Sequence, residues 1–152
     1  MTIYLGADHR GFGLKEHVKA QLTEAGYDVR DIGAAQIDVA DDYPDFAIIA
    51  LEALSQDLKN RAILICGSGH GMDMIANKFS GVRAALCFNT AVAKQSREHE
   101  DANVLVLASD WVKEQEAWNI IEIWLETEYG KAERNERRLR KIKEIEEKHF
   151  KE

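Results

Sequence analysis

The stretch Cys66-Gly67-Ser68-Gly69-His70-Gly71 gathers residue types that can do chemistry together. A thiol becomes a nucleophile or a base once ionised, and the thiolate is favoured where backbone N–H groups converge at a helix start. Three glycines in five residues let the main chain approach a ligand closely and turn N–H groups toward it. The apolar run Ile63 to Cys66 reads as a strand buried on both faces, and the residues after Gly71 take up a helical pattern. The expectation is a cysteine of lowered pKa above a cradle that holds, or makes, an anion.

Other polar residues sit at equivalent places. Asp8 and His9 follow the strand-like Ile3–Ala7, Asn89 follows Val82–Leu86, and Ser109 with Asp110 follow Asn103–Leu107. His99 falls near the end of a helical segment, so it faces the opposite edge of its own sheet and is placed to serve a neighbouring subunit. The plainer role for it is capping a helix C-terminus. Asp8 beside His9 is equally compatible with a turn-capping pair. His17 and His149 fall on helix faces as solvated or structural residues, and Cys87 reads as a small buried hydrophobe.

Alternating elements must position these side chains. Leu14, Val18, Leu22 and Ala25 give a helical face closed by Gly26, and Tyr27–Ile32 is a second strand. Ala34–Asp42 is a polar loop, and Pro44 opens a helix through Leu54. Arg61–Cys66 is the third strand, with helices expected over Gly71–Lys78 and Thr90–Glu98. A last core helix shows Trp118, Ile121, Trp124 and Leu125. Five β-α units with short links predict an α/β, Rossmann-like, doubly wound parallel sheet. In such a sheet ligands bind at the carboxyl ends of the strands, where Asp8, His9, Cys66 and Asp110 fall.

The 152 residues fit one domain, 1–152, with 131–152 as a helical extension. A net charge of -7 speaks against nucleic acid or an anionic membrane as partner. No run approaches a membrane span, no secretory pattern opens the chain, and two cysteines suit a thiol-keeping cytoplasm. From Lys131 to Lys143 there are seven basic and two acidic residues. Leu139, Ile142 and Ile145 make a seam too thin for the main core, which points to packing on another subunit. The simpler alternative is a solvated helix laced by pairs such as Glu136 with Arg140.

Several motifs are excluded. Met72 stands where a dinucleotide fingerprint needs glycine and where a cysteine phosphatase loop needs arginine. No Walker lysine follows the glycines, and no His/Cys/Asp spacing reads as a metal site.

Gly6-Ala7-Asp8-His9 with Gly11 and Leu14-Lys15, then Asp42-Tyr43-Pro44, resemble the B-type ribose-5-phosphate isomerases and their galactose-6-phosphate isomerase relatives. So do Cys66-Gly67-Ser68-Gly69-x-Gly71, Ala76-Asn77-Lys78 and Ser96-Arg97-Glu98-His99 with Asn103-Val104-Leu105. The resemblance runs from Ile3 to about Ile145. It implies a cofactor-free aldose–ketose isomerase, dimeric or tetrameric, with sites between subunits. On that resemblance Cys66 takes the proton from the sugar's C2, the Gly67, Gly69 and Gly71 region steadies the enediolate, and Ser68 assists proton movement. His99 opens the ring, Asp8 and Tyr43 position the sugar, and His9, Arg134 and Arg138 hold the phosphate.

The sequence departs from the family pattern at several points. Glu100 replaces the usual Asn, Asp110 replaces an arginine, Asn135 a histidine, and Arg10 follows His9 where a small or apolar residue is common. Two added carboxylates would oppose a phosphate, each by about 1 kcal/mol if wet. Arg10 is placed to replace the missing guanidinium, and Glu100 to accept from a hydroxyl. The substrate is therefore expected among pentose, tetrose or hexose phosphates, with ribose 5-phosphate and ribulose 5-phosphate the first pair. The competing readings are a non-catalytic sugar-phosphate-binding or partner subunit, and an isomerase of an unphosphorylated sugar.

Overall fold

The computed structural model describes residues 1–150. Five parallel strands lie in the order β2-β1-β3-β5-β4: β1 Thr2–Ala7, β2 Asp28–Asp31, β3 Arg61–Cys66, β4 Ala84–Leu86 and β5 Val104–Ala108. The helices are α1 Phe12–Glu24, α2 Tyr43–Gln56, α3 His70–Ala76, α4 Thr90–Glu100, α5 Glu114–Glu126 and α6 Glu133–His149. Residues alternate sides along the central strands, and each side has its own core. Ile63 and Ile65 pack with α1 and α5, whereas Ala62, Leu64 and Cys66 pack with α2 and α3. β3 is buried on both faces, as its unbroken apolar run predicts.

The edge strands are shorter than the sequence patterns predict. β4 has three residues rather than five, and β2 alternates exposed and half-buried positions. A strand with one neighbour loses its ladder first, so β-propensity overstates its length. α4 instead runs two residues further than expected, to a C-cap at Asp101 in the left-handed region.

The order of strands matters for the site. The chain passes from β1 outward to β2, then returns across β1 to β3. The carboxyl ends of β1 and β3 therefore flank the point where the winding reverses, and the loops there part to leave a crevice. The loop after β2 is anchored by Lys15, whose side chain is wholly buried. Its ammonium donates to Asp31 at 2.7 Å, Glu16 at 2.7 Å and the carbonyl of Ala34 at 3.0 Å. Burial alone would raise the Asp31 carboxyl, but hydrogen bonds from Lys15, Lys19 and the Gly33 amide carry it below its ordinary value.

α6 folds back along its own chain near the starts of β4 and β5. Glu146 accepts the Gly81 amide at 3.0 Å, and a groove of about 540 Å³ separates Ile142, Ile145 and Phe150 from Val82 and Ala84. Ile142 and Ile145 stay 44% and 57% exposed, so the thin seam is only partly covered within one chain. The expected Glu136–Arg140 pair is absent among the described residues; Lys143 and Glu147 meet instead, at 3.7 Å. Such an exposed pair contributes only a few tenths of a kcal/mol, about 0.3–0.5, so its location is weakly determined.

Candidate active site

The end of β3 turns directly into α3 through Gly69, which takes a left-handed conformation with φ of 78°. That turn aims the first amides of α3 back at Cys66: the Gly69 N–H reaches Sγ at 3.2 Å. Among the expected cradle donors, the Gly69 amide is thus spent on sulfur, and the His70 amide leans on Ser68 Oγ at 3.4 Å. The helix start favours a thiolate first and a ligand second.

The thiol is nevertheless pushed up from its ordinary value, contrary to the expectation of a lowered one. Burial is the largest cause, since Cys66 is 4% exposed; the Met72 and Gly69 amides and the Arg10 charge pull the other way, and Asp8 adds to the rise. Sequence shows the helix start but not how much of the sulfur the folded chain hides from water.

Side chains from the loop after β1 and from the start of α2 close over the glycines. A Cβ added to Gly67 would collide with the Arg10 guanidinium, and one added to Gly71 would collide with the Tyr43 ring. Tyr43 opens α2, so the helix beginning at Asp42-Tyr43-Pro44 carries its ring to the cradle. Asp8 is 5% exposed, and its Oδ1 accepts the Arg10 amide at 3.1 Å and the Gly11 amide at 3.0 Å. It thus builds the loop after β1, the turn-capping role, while keeping its charge near Cys66.

Two acid–base pairs flank the crevice. His9 Nδ1 meets Asp41 Oδ1 at 2.5 Å, and the His9 amide donates to the same oxygen at 3.1 Å. Arg10 is paired with Asp110. The carboxylate expected to oppose a phosphate is therefore balanced by the neighbouring guanidinium. Asp110 itself is held by its amide, which donates to the Gly67 carbonyl at 3.0 Å, and the Ser109 amide donates to the Cys66 carbonyl at 2.9 Å.

Asp41 is absent from the residues singled out in the sequence. Its one signal is position, an acid immediately before Asp42-Tyr43-Pro44. Where the sequence spacing offers no metal site, folding brings ligand atoms of Asp8, His9 and Asp41 within 4.8 Å of one another. Their donors are largely engaged with each other and with loop amides; only Asp41 Oδ2 is buried without a partner.

The remaining candidates lie elsewhere. The Glu100 carbonyl accepts from Arg83 Nε at 3.0 Å, immediately before Ala84, which is level with Val104 and Ala62 across the sheet. Cys66 is four residues further along β3, about 13 Å at the rise of a strand. His99 and Glu100 therefore sit toward the amino edge, away from their own chain's Cys66. α6 crosses that side too, with Arg134 and Arg138 exposed on it and Asn135 buried beneath. Asn89 caps α4, its Oδ1 accepting the Val92 amide at 2.8 Å. Cys87 is fully buried, as expected.

Fold and site together define a Rossmann-like α/β protein with a cysteine at the strand-end crevice. The chain belongs to the Ribose/Galactose Isomerase family, whose profile matches residues 3–142. It is 36% identical over 149 residues to ribose-5-phosphate isomerase B of Mycolicibacterium paratuberculosis, covering 98% of this chain and 94% of that protein. The ribose-5-phosphate isomerase B structure from Clostridium thermocellum superposes with a TM-score of 0.93 at 41% identity, over 98% of this chain and 99% of that one. The Mycoplasma genitalium enzyme, solved with bound ribulose-5-phosphate, gives 0.93 at 36% identity, over 96% of each chain. Among the described residues no helix is long and apolar enough to cross a membrane.

Proposed function

We propose that this protein is a cofactor-independent aldose–ketose isomerase of a sugar phosphate, with ribose 5-phosphate and ribulose 5-phosphate as the first substrate pair. The observation that carries this reading is the Cys66 sulfur, held by the Gly69 amide at the end of β3 in a chain of this family. Cys66 as thiolate takes the C2 proton of the open-chain aldose. The C–H electron pair forms the C1–C2 double bond, and negative charge moves onto the carbonyl oxygen. Ser68 passes a proton between O2 and O1, and the thiol returns its proton to C1 to give the ketose. A base poised near working pH and fixed donors at the developing oxyanion are what this step requires; one such donor is worth about 3–4 kcal/mol.

His9 and Tyr43 bind the substrate from the same chain. The partner subunit's His99, Arg134 and Arg138 open the ring and hold the phosphate. This division is supported by their location toward the other edge of their own sheet, and it makes the working unit a dimer or a larger assembly, acting in the cytoplasm. The neutralising contact between Arg10 and Asp110 weakens the case for a non-catalytic subunit, because Asp110 no longer stands as a free opposing charge.

The test is solvent deuterium incorporation at C2 across tetrose, pentose and hexose phosphates and the free sugars. Exchange confined to phosphorylated sugars supports the proposal. Exchange with free sugars alone would reassign the substrate, and no exchange with any would leave a binding protein.

A further inference from the structure

We propose that Arg10 and Asp110 form a positioning pair for the Cys66 sulfur: Arg10 brings a fixed positive charge to the reaction centre, and Asp110 holds it there. The inference deepens the isomerase reading and rests on Cys66 as its base. Three observations converge. The guanidinium lies against Gly67, the residue next to the cysteine, so closely that a Cβ there would meet it in its present position. Asp110 pairs with the guanidinium, and its own backbone is pinned to Gly67. Ser109 completes the frame, with Oγ at 2.9 Å from the Arg10 carbonyl and 3.2 Å from the Cys66 carbonyl.

The charges around the sulfur come from every element packed there. Asp8 at the end of β1 disfavours the thiolate, and Arg10 from the following loop favours it. Asp110 follows β5, Tyr43 opens α2, and His70 and Asp73 lie on the first turn of α3. Arg10 is a cationic side chain that acts directly against the burial of the thiol. A guanidinium suits this task because it stays charged throughout the working range and its planar fork can keep one edge on a carboxylate while another faces the cradle. Without an anchor, a side chain about half exposed would sample solvent and its field at the sulfur would be screened.

The test is the pH dependence of iodoacetamide alkylation at Cys66 in the full-length protein at low salt, read by peptide mass mapping so that Cys87 is scored separately. Alkylation follows the thiolate fraction, so Arg10→Met is expected to move the midpoint upward and slow modification about three- to tenfold at fixed pH below it. Arg10→Lys recovers part of the loss. Asp110→Ala moves the midpoint the same way, and only when Arg10 is present. An unchanged midpoint in Arg10→Met overturns the proposal. A downward shift in Asp110→Ala also overturns it, by making Asp110 a plain opposing charge and not an anchor. No sugar is needed, so failure here is separate from failure of the isomerase reading. A matching upward shift in the acid limb of kcat/KM would link the pair to turnover.

Discussion

Asp41 Oδ1 accepts from both the ring and the backbone amide of His9, at 2.5 Å and 3.1 Å, although 32 residues separate them in the chain. The contact fixes the imidazole: Nδ1 faces the carboxylate, and Nε2 is the ring nitrogen that the carboxylate does not engage. A histidine ring is set by the bond its other nitrogen makes, so Asp41 determines what His9 can offer.

Asp41→Ala should therefore raise KM for a phosphorylated substrate several-fold, with a smaller effect on kcat. Steady-state kinetics over a range of substrate concentration checks this. An unchanged KM would mean that the ring is positioned without its carboxylate partner.

Cys66→Ala should abolish C2 proton exchange while leaving sugar-phosphate binding within a few-fold of the parent by calorimetry. Cys87→Ala should change neither exchange nor binding. Residual exchange in the Cys66 variant would move the base to another group, with Asp73 first in line, because burial raises its carboxyl above its ordinary value.

Cys87 also predicts an alkaline limit to stability. Burial pushes its thiol from 9.0 up to about 11, with the bond to Ser96 opposing. The unfolded thiol ionises first, so this contribution is complete below pH 9.0 and is lost as pH rises through about 11. The expected loss is about 2–3 kcal/mol. Urea unfolding from pH 8 upward should show it, and Cys87→Ala should flatten that slope.

Asp31 works in the opposite sense. Burial pushes its carboxyl up, but the Lys15 and Lys19 hydrogen bonds outweigh that and leave it lowered in the fold. Its stabilisation is present above the ordinary 3.8 and is lost as pH falls through the lowered value. Asp31→Ala would leave the buried Lys15 ammonium without its main counter-charge, at a cost of about 3–5 kcal/mol. Equilibrium unfolding of the variant at neutral pH measures the loss; a change below 1 kcal/mol would mean that Glu16 and the Ala34 carbonyl suffice.

The proposed sharing of the site between subunits predicts complementation. Cys66→Ala supplies an intact Arg134 and Arg138, and Arg134→Ala/Arg138→Ala supplies an intact cysteine. Mixed and allowed to exchange subunits, two inactive proteins should regain activity, because one of the two sites in a mixed dimer carries neither defect. Continued inactivity after verified exchange would place the arginines in their own chain's site.

The central architecture was legible in the linear pattern. Ile63–Cys66 read as a strand buried on both faces, and the glycines at its end marked where the backbone can turn and approach a ligand. The period of Leu14, Val18 and Leu22 likewise determined which face of α1 the sheet would cover. These are local properties, set by side-chain periodicity and allowed backbone angles. The tertiary structure decided the electrostatics. Whether Cys66 ionises depends on burial by α2 and α3, and whether Asp110 opposes an anion depends on Arg10, a hundred positions away. His9 owes its orientation to Asp41 on another loop. Charge interactions act through space and through the water that folding excludes, and neither can be read from spacing along a chain.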